Sequence, residues 1–138
     1  MTVFLDTSAF AKRYVAEQGL VKVLARCQEA DGLVVNVICM PELVCSPSRL
    51  VREKRLTKAA FRTLKGDATA DLADVDICKI TPEVLASVVP LLELHPLRAM
   101  DAIHVACVLA SKPDVFVSAD HRQLFAAGKT GLKCVDVS

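Results

Sequence analysis

The sequence predicts an α/β fold: a four- to five-stranded parallel sheet covered by helices on both faces. Three observations predict it. Short apolar runs alternate with segments of helical spacing, the apolar runs are nearly continuous, and no linker, repeat or low-complexity tract interrupts them. A strand buried on both faces is apolar at nearly every position, as strands of parallel sheets are. The chain is read as one domain over residues 1–138.

Thr2–Leu5 reads as a buried strand and Ser8–Val15 as a short helix. Leu20, Val23, Leu24 and Cys27 mark one face of the next helix. Leu33–Cys39 is a second apolar strand, and Pro41 suits the first turn of the helix that follows. Thr57 is placed to cap a helix running to about Leu72, and Val75–Ile80 is a third strand. Thr81-Pro82-Glu83 opens the next helix with a cap and a first-turn proline. Arg98–Ser111 is apolar nearly all round and predicts a buried helix. Val115–Ser118 is the fourth strand, Asp120–Ala127 a short helix, and Leu132–Val137 a fifth strand after a glycine turn.

Composition narrows the function. The chain is 53% hydrophobic and 24% charged, which excludes a disordered segment and allows one real core. Net charge is +1, so attraction to an acidic partner has to come from local patches. The longest apolar candidate, Leu33–Met40, is interrupted by Asn36 and falls short of the roughly 18–20 residues that span a bilayer. Asp6 interrupts the N-terminus where a secretory signal needs apolar residues. A soluble cytoplasmic protein without a membrane segment is expected. The six cysteines include no C-x-x-C pair and sit among apolar neighbours, so buried reduced thiols are expected rather than zinc ligands.

The informative residues are acidic. Asp6 and Asp120 each end an apolar strand, Glu42 follows another, and Asp101 interrupts the apolar stretch Ala99–Ala110. Ligands of parallel sheets gather outside the carboxyl ends of the strands, so the fold is expected to bring these acids to one edge. Two unit charges about 5 Å apart at an effective dielectric near 20 repel by roughly 3 kcal/mol. Four such groups call for a hard cation, and oxygen donors without clustered His or Cys favour Mg2+ or Mn2+ over zinc. Crowding without metal is expected to raise some of their pKa values.

Each acid also has a structural explanation. Asp6 can cap the following helix, and Asp120 with Gln123 fits a capping box. Glu42 suits the helix dipole, and Arg98 is a candidate partner for Asp101 three residues on. Thr7, Ser8 and Ser118 serve equally well as local hydrogen-bonding groups. His104 reads as a core or supporting histidine, and His121 as a surface one.

The ordered set resembles a family. Phe4-Leu5-Asp6-Thr7-Ser8-Ala9 with Lys12-Arg13-Tyr14, Pro41-Glu42-Leu43, Leu97–Ala106 around Asp101, and Val117-Ser118-Ala119-Asp120 are similar to segments of PIN-domain ribonucleases, especially the VapC toxins of type II toxin–antitoxin pairs. The resemblance implies a three-layer α/β/α sandwich, a Mg2+- or Mn2+-dependent endoribonuclease, a homodimer and a cognate antitoxin. By position it makes Asp6, Glu42, Asp101 and Asp120 the catalytic and metal-site acids, with Thr7 and Ser118 in support. The departure is Pro47, which is expected to kink or break the helix after Glu42.

For an RNA substrate, Lys12 and Arg13 lie just beyond Asp6, and Arg49–Lys65 is the densest basic segment. That segment reads either as a solvated helix pair or as phosphate guidance. Three rivals remain open: a housekeeping RNA-processing nuclease, a catalytically silent PIN-like module binding RNA or protein, and a phosphoaspartyl protein. The last usually carries a second Asp two residues after the nucleophile, where this chain has Ser8.

Overall fold

A computed structural model describes residues 1–138. The strands β1 (Thr2–Leu5), β2 (Gly32–Asn36), β3 (Asp76–Cys78), β4 (Val115–Ser118) and β5 (Lys133–Asp136) form one sheet in the order β3-β2-β1-β4-β5. All four pairings are parallel, so each connection crosses over through helix. The crossovers are α1 (Thr7–Ala11), α2 (Leu20–Glu29), α3 (Cys39–Arg52), α4 (Lys58–Leu72), α5 (Pro82–Leu94), α6 (Ala99–Ser111) and α7 (His121–Gly128). The winding direction reverses between β1 and β4, which is where such sheets open a crevice.

Side-chain alternation along β1 assigns the layers. Phe4 points into a core shared with Phe116 of β4 and with Val88, Val105 and Ala126, from α5, α6 and α7. Val3 and Leu5 point the other way, into a core with Phe10, Val23, Leu43 and Ala68, from α1 to α4. The result is a three-layer sandwich with apolar packing on both faces of the sheet. Thr57 and Thr81 cap α4 and α5 by accepting from Ala60 N and Val84 N, as their positions predict. All six cysteines are free, and no helix is long and apolar enough to cross a membrane.

Several boundaries differ from the sequence expectation. The helix near the start spans Thr7–Ala11 rather than Ser8–Val15. The third strand spans Asp76–Cys78 rather than Val75–Ile80. The second strand stops at Asn36 instead of Cys39, because the Asn36 side chain accepts from Ile38 N and turns the chain. Helix α3 consequently starts at Cys39, and Pro41 still falls in its first turn.

Pro47 neither breaks nor ends the helix, which continues from Cys39 to Arg52. A proline inside a helix costs about 3 kcal/mol. Burial of Cys39 and Leu43 in the core outweighs that local penalty. Continuity of α3 matters for the site, because Glu42 and two arginines then share one helix.

Gly19, at the N-cap of α2, has φ +92°. A Cβ built there would lie 1.9 Å from Val137 O, so only glycine lets the chain end pass.

Candidate active site

Asp6 follows β1 directly and caps α1, accepting from Ala9 N at 3.0 Å. Its backbone N–H donates to Val117 O, so β1 and β4 run together to their ends. The Ser8 hydroxyl lies 2.7 and 2.8 Å from the two Asp6 carboxylate oxygens and accepts from Ala119 N at 3.0 Å. Ser118 Oγ accepts from Asp120 N at 2.9 Å. A chain of hydroxyls and amides thus joins Asp6 to Asp120 across the crevice.

The other two acids enter from the helices. Glu42, in the first turn of α3, accepts from Thr7 Oγ1 at 2.7 Å and meets His104 Nε2 at 2.5 Å. Asp101, in the first turn of α6, pairs with Arg98 Nε at 3.2 Å and accepts from Gln123 Nε2 at 3.2 Å. Gln123 N donates to Asp120 Oδ1 at 3.1 Å, so one residue of α7 touches both Asp101 and Asp120. Asp6, Asp101 and Asp120 are thus linked through Ser8, Ser118 and Gln123, while Glu42 stands at the same sheet edge in a separate group with Thr7 and His104.

Their electrostatics differ. Burial pushes Asp6 above the ordinary carboxylate value, more than the donors Ser8, Ala9 and Ser118 lower it. No lysine or arginine pairs with it. Burial also acts upward on Glu42, but the hydrogen bonds from His104 and Thr7 and the His104 charge outweigh it. Glu42 is therefore held below its usual value. The expected rise through crowding is corrected here: the rise at Asp6 comes from lost solvent, and Glu42 moves the other way.

The sequence matches the family description of the PIN domain over residues 3–129. The chain belongs to the PIN domain family. Its fold is similar to that of a toxin–antitoxin complex from Klebsiella pneumoniae (TM-score 0.69, 13% identity, covering 99% of this chain and 98% of that one). It is also similar to VapC20 of Mycobacterium tuberculosis, described as a sarcin–ricin-loop-cleaving toxin (TM-score 0.64, 15% identity, 94% and 95% covered). A third neighbour is VapBC2 from Rickettsia felis bound to a promoter DNA fragment (TM-score 0.70, 12% identity, 100% of both chains covered). At such identities these likenesses establish the fold alone. Comparison with curated protein sequences finds no match.

In this PIN domain the donor chemistry suits a divalent cation, because Asp6 is a buried carboxylate whose contacts are hydroxyl and amide donors with no paired cationic side chain. The arrangement itself is not a ready chelate. No three His, Cys, Asp or Glu side chains stand close enough together to hold one ion. The reason is visible in the contacts: Glu42 is engaged by Thr7 and His104, and Asp101 by Arg98 and Gln123. The four acids lie at one sheet edge, and Glu42 and Asp101 each carry donors of their own.

Two of the proposed RNA-facing cations are placed elsewhere. Lys12 is buried, and its Nζ donates to Gln18 O at 2.8 Å and pairs with Glu17. Arg13 pairs with Asp71 at 3.4 Å and lies over the Phe10 ring. Lys12 thus ties down the α1–α2 connection, and Arg13 joins it to α4. Thr7 and Ser118 do reach the network, as described.

Sequence reasoning missed two contacts. Spacing makes Gln123 the back-bonding member of a capping box with Asp120, yet its side chain turns to Asp101 and Ser118 takes the Asp120 N–H. His104 is fully enclosed, and its reach to Glu42 spans 62 positions of sequence. The available signal was a polar residue on an otherwise apolar helix, which must find a partner somewhere.

Proposed function

We propose that this PIN domain is a metal-dependent endoribonuclease, the toxin of a type II toxin–antitoxin pair. It hydrolyses RNA phosphodiester bonds in the cytoplasm, acts as a homodimer and is restrained by a cognate antitoxin. The observation that carries the reading is the gathering of Asp6, Glu42, Asp101 and Asp120 at one sheet edge, at the point where the winding reverses. Support for the toxin assignment comes from the neighbours of the same fold, which are described as toxins and toxin–antitoxin complexes.

Asp6 and Asp101 would hold Mg2+ or Mn2+, with Glu42 and Asp120 completing the site or orienting the attacking water. The ion, when bound, supplies charge against a phosphate and lowers the pKa of water. The chain's own groups do the positioning. Ser8 fixes the Asp6 carboxylate, Arg98 and Gln123 fix Asp101, and Thr7 with His104 fix Glu42. No serine, cysteine or histidine nucleophile is needed.

A second reading, a catalytically silent PIN module, is favoured by one observation: the acids do not stand as a ready chelate. Cleavage of total RNA by the wild type and by Asp6→Asn, with and without Mg2+ or Mn2+, decides between them. The nuclease reading expects metal-dependent products from the wild type and none from the variant. Identical products from both, or none from either, leave the silent module.

A further inference from the structure

The proposed chemistry uses the acids and leaves a set of cations unexplained. Because α3 runs unbroken through Pro47, residues at helical spacing from Glu42 lie on its face: Cys45, Ser46, Arg49 and Arg52. With Glu42 and Arg98 these four line an open groove of about 740 Å³. Glu42 to Arg52 covers about 15 Å of helix. That length exceeds the roughly 3.4 Å rise per nucleotide of one strand several times over.

Arg98 joins this groove to a second one of about 400 Å³, lined by Arg98, Ala119, Asp120, His121 and Arg122. Its Nε is fixed on Asp101, but its side chain is 79% exposed and its two terminal amino groups meet no protein acceptor. Arg52 and Arg122 have no acidic partner, and Arg49 has only a loose contact with Glu53 at 4.0 Å. Cations thus flank the acids on both sides, with Arg98 between.

We propose that the two grooves form one track for the sugar–phosphate backbone of an RNA strand, with Arg98 as the positioning residue that sets a phosphate against Asp101. The proposal rests on the nuclease reading for the identity of the strand. Neither groove is lined by Phe, Tyr or Trp, and the one ring, His121, is held on Asp136 and Ser138, so the track grips the backbone rather than stacking bases. Repeated anions along a line match the order of charges better than a compact acidic ligand does. Within the basic segment, the α3 arginines belong to the track, whereas Lys58 and Arg62 on α4 line neither groove.

The test is fluorescence anisotropy of a labelled, mixed-sequence single-stranded oligoribonucleotide with the full chain in EDTA, over a series of salt concentrations. The double variant Arg49→Gln/Arg52→Gln is expected to bind about tenfold more weakly near 0.1 M salt, with a salt slope shallower by about 1.4. The double variant Lys58→Gln/Arg62→Gln is expected to stay within about twofold of wild type. In metal-supported cleavage, Arg98→Gln should lower kcat more than it raises KM, and Arg98→Lys should recover KM but not kcat. Melting temperatures of all variants verify that the fold is kept. Equal affinities and slopes in the two double variants overturn the track, as does displacement of the RNA by an equimolar acidic peptide. A wild type that binds RNA through these arginines yet never cleaves it leaves the track standing and removes the nuclease reading. Cleavage undiminished in the arginine variants does the reverse.

Discussion

His104 Nε2 stands 2.5 Å from Glu42 Oε1, joining the middle of α6 to the first turn of α3. The histidine is enclosed by the core, and its Nδ1 has no protein partner. One buried ring, together with the Thr7 hydroxyl, therefore fixes where the second acid of the site points. His104→Ala is expected to destabilise the fold by about 2–4 kcal/mol, combining a cavity with a lost charged hydrogen bond. Urea unfolding measures this. NMR titration of Glu42 in the same variant should show its pKa rising, since burial then acts with less opposition. An unchanged Glu42 titration contradicts the assigned pairing.

Asp6 trades stability for charge. Its folded pKa lies above the model-peptide value of 3.8, so its contribution to stability is complete below that value. The contribution is lost as pH rises through the folded value. Asp6→Asn keeps an oxygen for Ala9 N and Ser8 and removes the buried charge. A higher melting temperature at pH 7, with the difference vanishing toward pH 3, is the expected result. Glu42 has the opposite sign: its contribution is in place above 4.5 and lost as pH falls through its lowered value.

Gln123 is the bridge between Asp101 and Asp120. Gln123→Leu keeps the backbone donation to Asp120 and removes the side-chain donor from Asp101. The wild-type Oε1 is itself buried without a partner, so little stability should be lost, within about 1 kcal/mol. RNA cleavage is expected to fall about tenfold or more through misplacement of Asp101. Wild-type turnover in a correctly folded Gln123→Leu protein contradicts the bridge's role.

Two glycines predict opposite effects of alanine. Gly66 lies on the exposed face of α4 with nothing within 4 Å of a built Cβ, so Gly66→Ala should stabilise by about 0.5–1 kcal/mol. Gly19 has a positive φ and Val137 O in the way, so Gly19→Ala should destabilise by more than that. Thermal melts of the two variants check both signs.

Much of this was legible in the sequence for local reasons. Continuous apolar runs located β1 and β4, and the acids that end them were placed by chain direction alone. Arg98 and Asp101 sit three residues apart on one helix, so their pairing followed from spacing. What escaped was non-local or depended on competition between energies. Pro47 stays helical because the core holds α3, which propensity does not register. Lys12 looked free beside Asp6 until the fold buried it against Gln18 and Glu17. Gln123 had two acids within reach, and the sequence could name only the nearer one.

Binding of Mn2+ by isothermal titration calorimetry, on the wild type and on Asp6→Asn and Asp101→Asn separately, tests the shared metal site most directly. Saturable binding by the wild type that is lost in each variant is the predicted result. No binding by the wild type, or binding that survives both substitutions, contradicts it.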